Sequence, residues 1–176
     1  MRIQLEKPSL KREEEFIAAT RRSRRFFAGF VSPPSSSLDY REYVKRCRSS
    51  NCEGRLVVSL ESNELLGVVN LNEIVRRSFQ SGFLGYYAFS PHGGRGYMRE
   101  ALQGFLVEVF GNLSLHRVEA NIQPGNEKSI ELVRSLGFRL EGLSPRYLKI
   151  AARWCDHERW ALLVEDWKEA KGGSKK

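Results

Sequence analysis

Apolar positions change their period along this chain, and each change marks a predicted element. Residues 3–5 read as a short strand. Ser9 is placed to cap a helix that turns Phe16 and Ile17 inward. Pro33 and Pro34 break the chain within residues 31–37, and a second helix is predicted over 38–47, with Tyr40, Tyr43 and Val44 on one face. The period then becomes that of strands. Residues 56–60, a turn at 61–64 and residues 65–71 form a hairpin, and 79–89 is a third strand rich in aromatics. Helical spacing returns over 95–110, where Ala101, Leu102, Phe105, Leu106, Val109 and Phe110 share a face. A strand at 117–122, a helix at 126–136 and strands at 138–140, 147–150 and 160–164 complete the pattern. The order predicts an α/β layered domain with a mixed sheet.

Composition narrows the class. The 176 residues suit one domain, expected over 1–170 with a flexible tail at 171–176. With 41% hydrophobic and 28% charged residues, the chain reads as soluble and globular. Its apolar runs are too short to span a membrane, and residues 1–7 lack a signal-peptide core. Together with three cysteines in no common metal spacing, this predicts a cytoplasmic protein without a metal site. A net charge of +8 attracts polyanions: nucleic acid, a ribosome or a phosphorylated cofactor. Arg21, Arg22, Arg24 and Arg25 form one basic cluster. The C-terminal lysines are read as solvated surface.

The chemistry starts at Ser90-Pro91-His92-Gly93-Gly94-Arg95-Gly96-Tyr97-Met98-Arg99-Glu100-Ala101-Leu102, where a strand ends, glycines turn and a helix begins. Glycines let backbone approach a ligand, and free first-turn N–H groups attract anions. The turn lacks the Gly-Lys-Ser/Thr ending of a nucleotide P-loop. It also lacks the first glycine and the ribose-binding acid of a dinucleotide fold.

Its neighbours are more specific. Gly85-Tyr86-Tyr87 precedes it, and Leu115-His116-Arg117-Val118-Glu119-Ala120-Asn121 follows. Then come Asn126-Glu127-Lys128-Ser129, Leu136-Gly137-Phe138, Glu141-Gly142 and Trp154-Cys155-Asp156-His157. This series resembles the GCN5-related N-acetyltransferases (GNAT) and, within them, the RimJ/RimL branch that acetylates N-terminal amines of ribosomal proteins. The resemblance implies a mixed sheet of about seven strands with a splayed parallel pair and helices on both faces. It also implies an acetyl-coenzyme A site. Pantetheine would pair with the backbone near Tyr87, Ala88 and Phe89, the pyrophosphate would sit on Gly94, Arg95, Gly96, Tyr97 and Met98, and Asn126 would bond the pantetheine arm. One departure stands out. The family motif opens with Gln or Arg, whereas this chain has Gly93, which is expected to loosen the turn.

Acetyl transfer needs a neutral amine, a polarised thioester and a hydrogen-bond or proton donor for the leaving thiolate. Alignment on the family places Asn121 and Val133 where relatives carry a catalytic glutamate and tyrosine. Ser129 is the expected donor; its alternative role is a helix cap. Glu119 shares a strand face with Asn121 and is the candidate base, or else an ion-pair partner of Arg117. Asn121 could hold a water. Glu100, Asp156 and His157 are candidate acceptor contacts, each with a structural alternative: a helix-dipole carboxylate for Glu100, a structural hydrogen bond for the other two. The expected acceptor is a protein α-amine. A small amine, or a basic ribosome-binding role with a vestigial cofactor site, are the rivals. Acceptor identity and oligomeric state stay open at this point.

Overall fold

The computed structural model describes residues 2–27 and 29–172. A seven-stranded sheet runs in the order β1-β2-β3-β4-β5-β7-β6. The strands are β1 (Ile3–Glu6), β2 (Glu53–Ser59), β3 (Leu65–Val75), β4 (Ser81–Ala88), β5 (Arg117–Ile122), β6 (Arg139–Ile150) and β7 (Arg153–Leu163). The helices are α1 (Glu13–Arg22), α2 (Arg24–Phe27), α3 (Ser37–Arg46), α4 (Tyr97–Val107), α5 (Glu127–Ser135) and α6 (Val164–Gly172). Neighbouring strands are antiparallel except β4 and β5, which run parallel.

Strand alternation sorts the core into two layers. Val57, Leu66, Val69 and Leu71 face α4 and α5, whose Leu102, Phe105, Ile130 and Val133 close that layer. Leu56, Val58, Leu65 and Val68 face α1 and α3, through Phe16, Tyr40 and Tyr43. β5 follows the same rule: Val118, Ala120 and Ile122 are buried toward α4 and α5, so Arg117, Glu119 and Asn121 face the other way.

Several predicted boundaries move. Ser9 makes no side-chain cap; its carbonyl accepts Arg12 N–H and Tyr40 O–H, and one tight turn precedes α1. Glu13, Glu14 and Glu15 then occupy α1's first turn, where the helix dipole favours them. α3 is capped by Ser36, whose Oγ accepts from Asp39 N–H at 3.2 Å. The short α2 was not predicted, because Arg-Arg-Phe-Phe has no helical period to read. The two strands expected at 138–140 and 147–150 are one strand, β6, kinked by a register shift between Ser144 and Leu148. Arg146 takes φ of 49° there, and its N–H donates to Asp156 Oδ1 at 2.7 Å. Of the tail expected from 171 onward, Lys171 and Gly172 end α6, and 173–176 lie outside the described residues.

Candidate active site

The parallel strand pair makes the site. β4 and β5 pair only through Ser81–Phe83 against Arg117–Glu119. Past Phe83 the strands part, leaving Tyr86, Tyr87 and Ala88 unpaired on that side. The chain then enters the glycine turn. Gly94 and Gly96 have φ of +76° and +82°, which L side chains rarely adopt. Nothing lies within 4 Å of where a Cβ on Gly94 would stand, so the turn opens to solvent. The amides of α4's first turn have no partners within the helix, and its dipole adds positive potential. The arrangement fits a pyrophosphate.

A cleft of about 940 Å³ extends from this turn to α5. Tyr87, Ala88, Gly94, Gly96, Tyr97 and Met98 line it, and Asn126 and Ser129 face them from α5. Phe89 does not line it, a correction to the expected cofactor contacts, and Arg95 stands in the turn between two residues that do. Phe89 is fully buried among Phe16, Phe27 and Tyr87, and its N–H donates to Leu66 O at 2.8 Å, so it has no donor left. Arg95 is exposed, and its carbonyl accepts from Arg2 Nη2 at 3.1 Å. A second hollow of about 780 Å³, between residues 32–34 and α3, contains neither the glycine turn nor Ser129. The chemistry therefore belongs to the larger cleft.

Ser129 is not a helix cap. Its Oγ lies 2.5 Å from Tyr86 Oη, which is also 3.2 Å from the Ser129 carbonyl. Burial pushes the Tyr86 phenol up to about 12. Asn126 starts α5 through its carbonyl, which accepts Ser129 and Ile130 N–H, and its side chain makes no capping bond. That amide is left available to the cleft it lines. Val133 is fully buried in the core, so no acid comes from that position.

The acidic candidates are engaged elsewhere. Glu119 Oε1 pairs with Arg117 Nε at 2.9 Å, and Arg117 also clasps Glu141. The Glu119 carboxylate is thus held in an ion pair on its own sheet face, away from Ser129. Glu100 binds the Arg2 side chain and accepts the Arg2 backbone N–H at 2.9 Å, which holds its carboxyl below the usual range. It therefore anchors the chain's start against α4 instead of meeting an acceptor. Asp156 Oδ1 accepts Arg146 N–H. His157 is only 2% exposed, and its Nδ1 lies 2.9 Å from Cys155 O, a carbonyl that can only accept. Neither Asp156 nor His157 lines the cleft. Asn121 sits on the opposite sheet face from Ser129, with its buried Oδ1 unpartnered among the described residues. Asn121 does not line the cleft that holds Ser129.

Gly93 is not loose. The ring of Phe26 occupies its missing side chain's space: a Cβ there would stand 2.4 Å from Phe26 Cζ. The sequence pointed to neither Phe26 nor Arg2, and Tyr86 stands in it only within the Gly85-Tyr86-Tyr87 motif, without its contact to Ser129. Their partners lie 67, 98 and 43 residues away, a separation at which local patterns carry no signal.

The acetyltransferase (GNAT) domain family matches residues 2–139. An Escherichia coli [ribosomal protein uS5]-alanine N-acetyltransferase is 37% identical over 107 residues, which span 61% of this chain and 55% of that protein. The crystal structure of a ribosomal-protein-S5-alanine acetyltransferase from Vibrio fischeri superposes with a TM-score of 0.80 at 28% identity, covering 94% of this chain and 93% of that one. A Vibrio cholerae spermidine N-acetyltransferase, solved with CoA and spermine, has a TM-score of 0.80 at 21% identity, over 95% and 98% of the two chains. The chain belongs to the GNAT family of acetyltransferases, in its RimJ/RimL-type branch.

Proposed function

We propose that this protein transfers an acetyl group from acetyl-coenzyme A to the α-amino group of a protein N-terminus, a ribosomal protein being the favoured acceptor. Acetyl-coenzyme A supplies the activated thioester. The glycine turn and α4's first-turn amides hold its phosphates, Tyr87 and Ala88 offer backbone along the splayed strand, and Asn126 offers its free amide. Ser129 donates a hydrogen bond where the thiolate departs. Asn121 positions a water on the acceptor side.

The observation that carries the choice of acceptor is the state of the carboxylates. Glu119 and Glu141 are bound by Arg117, and Glu100 by Arg2. Glu127 and Glu131, on the cleft's rim, are exposed to solvent. A site without a strong base needs an amine that is already neutral. At pH 7 on the order of a tenth of α-amines are neutral, against less than about one lysine in a thousand. The exposed Arg24 and Arg25, beside the cleft, suit an acceptor carried on a polyanionic assembly such as a ribosome.

The cellular setting proposed is the cytoplasm. The three cysteines are free thiols, and no helix among the described residues is long and apolar enough to cross a membrane. The test is acetylation of a panel of N-terminal peptides, polyamines and amino acids. Turnover of peptides alone supports the proposal, and preference for spermidine selects the small-amine rival. Salt-sensitive RNA binding without turnover selects the binding role.

A further inference from the structure

We infer that Tyr86 is a positioning residue that turns the Ser129 hydroxyl toward the leaving thiol, so that the pair donates a hydrogen bond and keeps its protons. This rests on the acetyl-transfer proposal and adds a residue to it.

Tyr86 stands just where β4 leaves β5, three residues past the last paired position, Phe83. Its side chain lies on the α4–α5 face and packs against the core there. The phenol crosses to the first turn of α5 and meets Ser129 Oγ at 2.5 Å. Either oxygen could donate in that contact. The phenol has one hydrogen, and the Ser129 carbonyl, 3.2 Å from Tyr86 Oη, can only accept it; Ser129 Oγ is the nearer acceptor, so the phenol donates chiefly to Oγ and shares its hydrogen with the carbonyl. Ser129 Oγ has no other hydrogen-bond partner among the described residues. Its own hydrogen is therefore free, in a residue that lines the cleft. Without the phenol, that hydroxyl could rotate back to a carbonyl of its own helix, as serines in helices do.

Proton transfer from the pair is disfavoured. An ordinary thiol titrates near about 8.5, whereas burial holds the Tyr86 phenol near 12. Passing its proton to a thiolate would be unfavourable by on the order of a thousandfold. A donated hydrogen bond has no such cost, and bonds to a charged acceptor are the strong ones. The thiolate is stabilised as it forms, and solvent can protonate it later.

The test uses the full-length protein loaded with free coenzyme A, whose thiolate is followed by ultraviolet absorbance against pH. The native protein should lower the bound thiol's titration by about one unit relative to Tyr86→Phe. Ser129→Ala should raise it equally, and the double variant no further. Ser129→Thr keeps the hydroxyl and should titrate as native; if Tyr86→Phe fails to fold, an unmoved titration in Ser129→Ala overturns the inference, because it removes the hydroxyl that Tyr86 is argued to position. The neighbouring Glu127, Lys128 and Glu131 are unchanged throughout. In turnover, either single variant should lose about tenfold in kcat with KM for acetyl-coenzyme A within about twofold, and the losses should not multiply. An unmoved thiol titration in Tyr86→Phe, or multiplying losses, would overturn the role of Tyr86. Failure of native protein to bind coenzyme A would instead overturn acetyl transfer itself, and this inference with it.

Discussion

Gly93→Ala adds one methyl group to the cofactor turn, and Phe26 makes its consequence calculable. The new Cβ would stand 2.4, 3.0 and 3.3 Å from three atoms of the Phe26 ring. Carbon atoms prefer about 3.5–4.0 Å, so the ring must move. It is 46% exposed, on a helix of four residues, so it can swing. The stability cost then falls at the low end of overpacking, about 1 kcal/mol, or a few degrees in Tm for a chain of this size. Phe26 itself lines the cofactor cleft, and the displaced ring competes for that space. Coenzyme A affinity should fall about fivefold, the equivalent of 1 kcal/mol. Calorimetric titration and thermal melts of Gly93→Ala, Phe26→Ala and the double variant read this out. Removing the ring should restore both quantities in the double variant. Additive losses, or no loss in Gly93→Ala, would refute the idea that the ring replaces the missing side chain.

Other expectations follow from the same geometry. Glu119→Gln should leave kcat within about threefold, because an ion pair to Arg117 is lost and no base; a loss of about a hundredfold or more would restore Glu119 as the base. Arg2→Ala should weaken coenzyme A binding by about fivefold, since one ion pair and one hydrogen bond to the turn disappear. Glu100's pKa lies lower in the folded protein than in the unfolded chain. Its contribution is therefore complete above the ordinary glutamate range and fades as pH falls through the lowered value. Thermal melts from neutral to acidic pH should show native protein losing more stability there than Glu100→Gln; parallel curves would contradict the clamp.

What the sequence revealed depended on distance along the chain. The glycine turn, α4 and the apolar face of α3 are written in contiguous residues, where spacing and composition speak directly. The sheet's splayed pair came through family likeness, because no local pattern says where two strands part. Ser129 was found by its motif, yet its partner Tyr86 looked like any aromatic in a strand. Strand alternation puts Tyr86 on one face, but only the fold shows that α5 lies across from it. The acidic candidates failed for a related reason. A carboxylate's availability depends on which arginine reaches it, and Arg2 reaches Glu100 across 98 residues. β6 was divided in two because Ser144-Pro145-Arg146 has a turn's composition, while pairing with β7 carries the strand through it.

The central proposal is that this site acetylates an amine it need not deprotonate. The most direct measurement compares kcat/KM at pH 7 for one peptide with a free N-terminus and for its N-blocked counterpart bearing a lysine. The neutral fractions of the two amines predict a preference for the α-amine on the order of a hundredfold. Equal rates, or faster acetylation of the lysine or of spermidine, would contradict it.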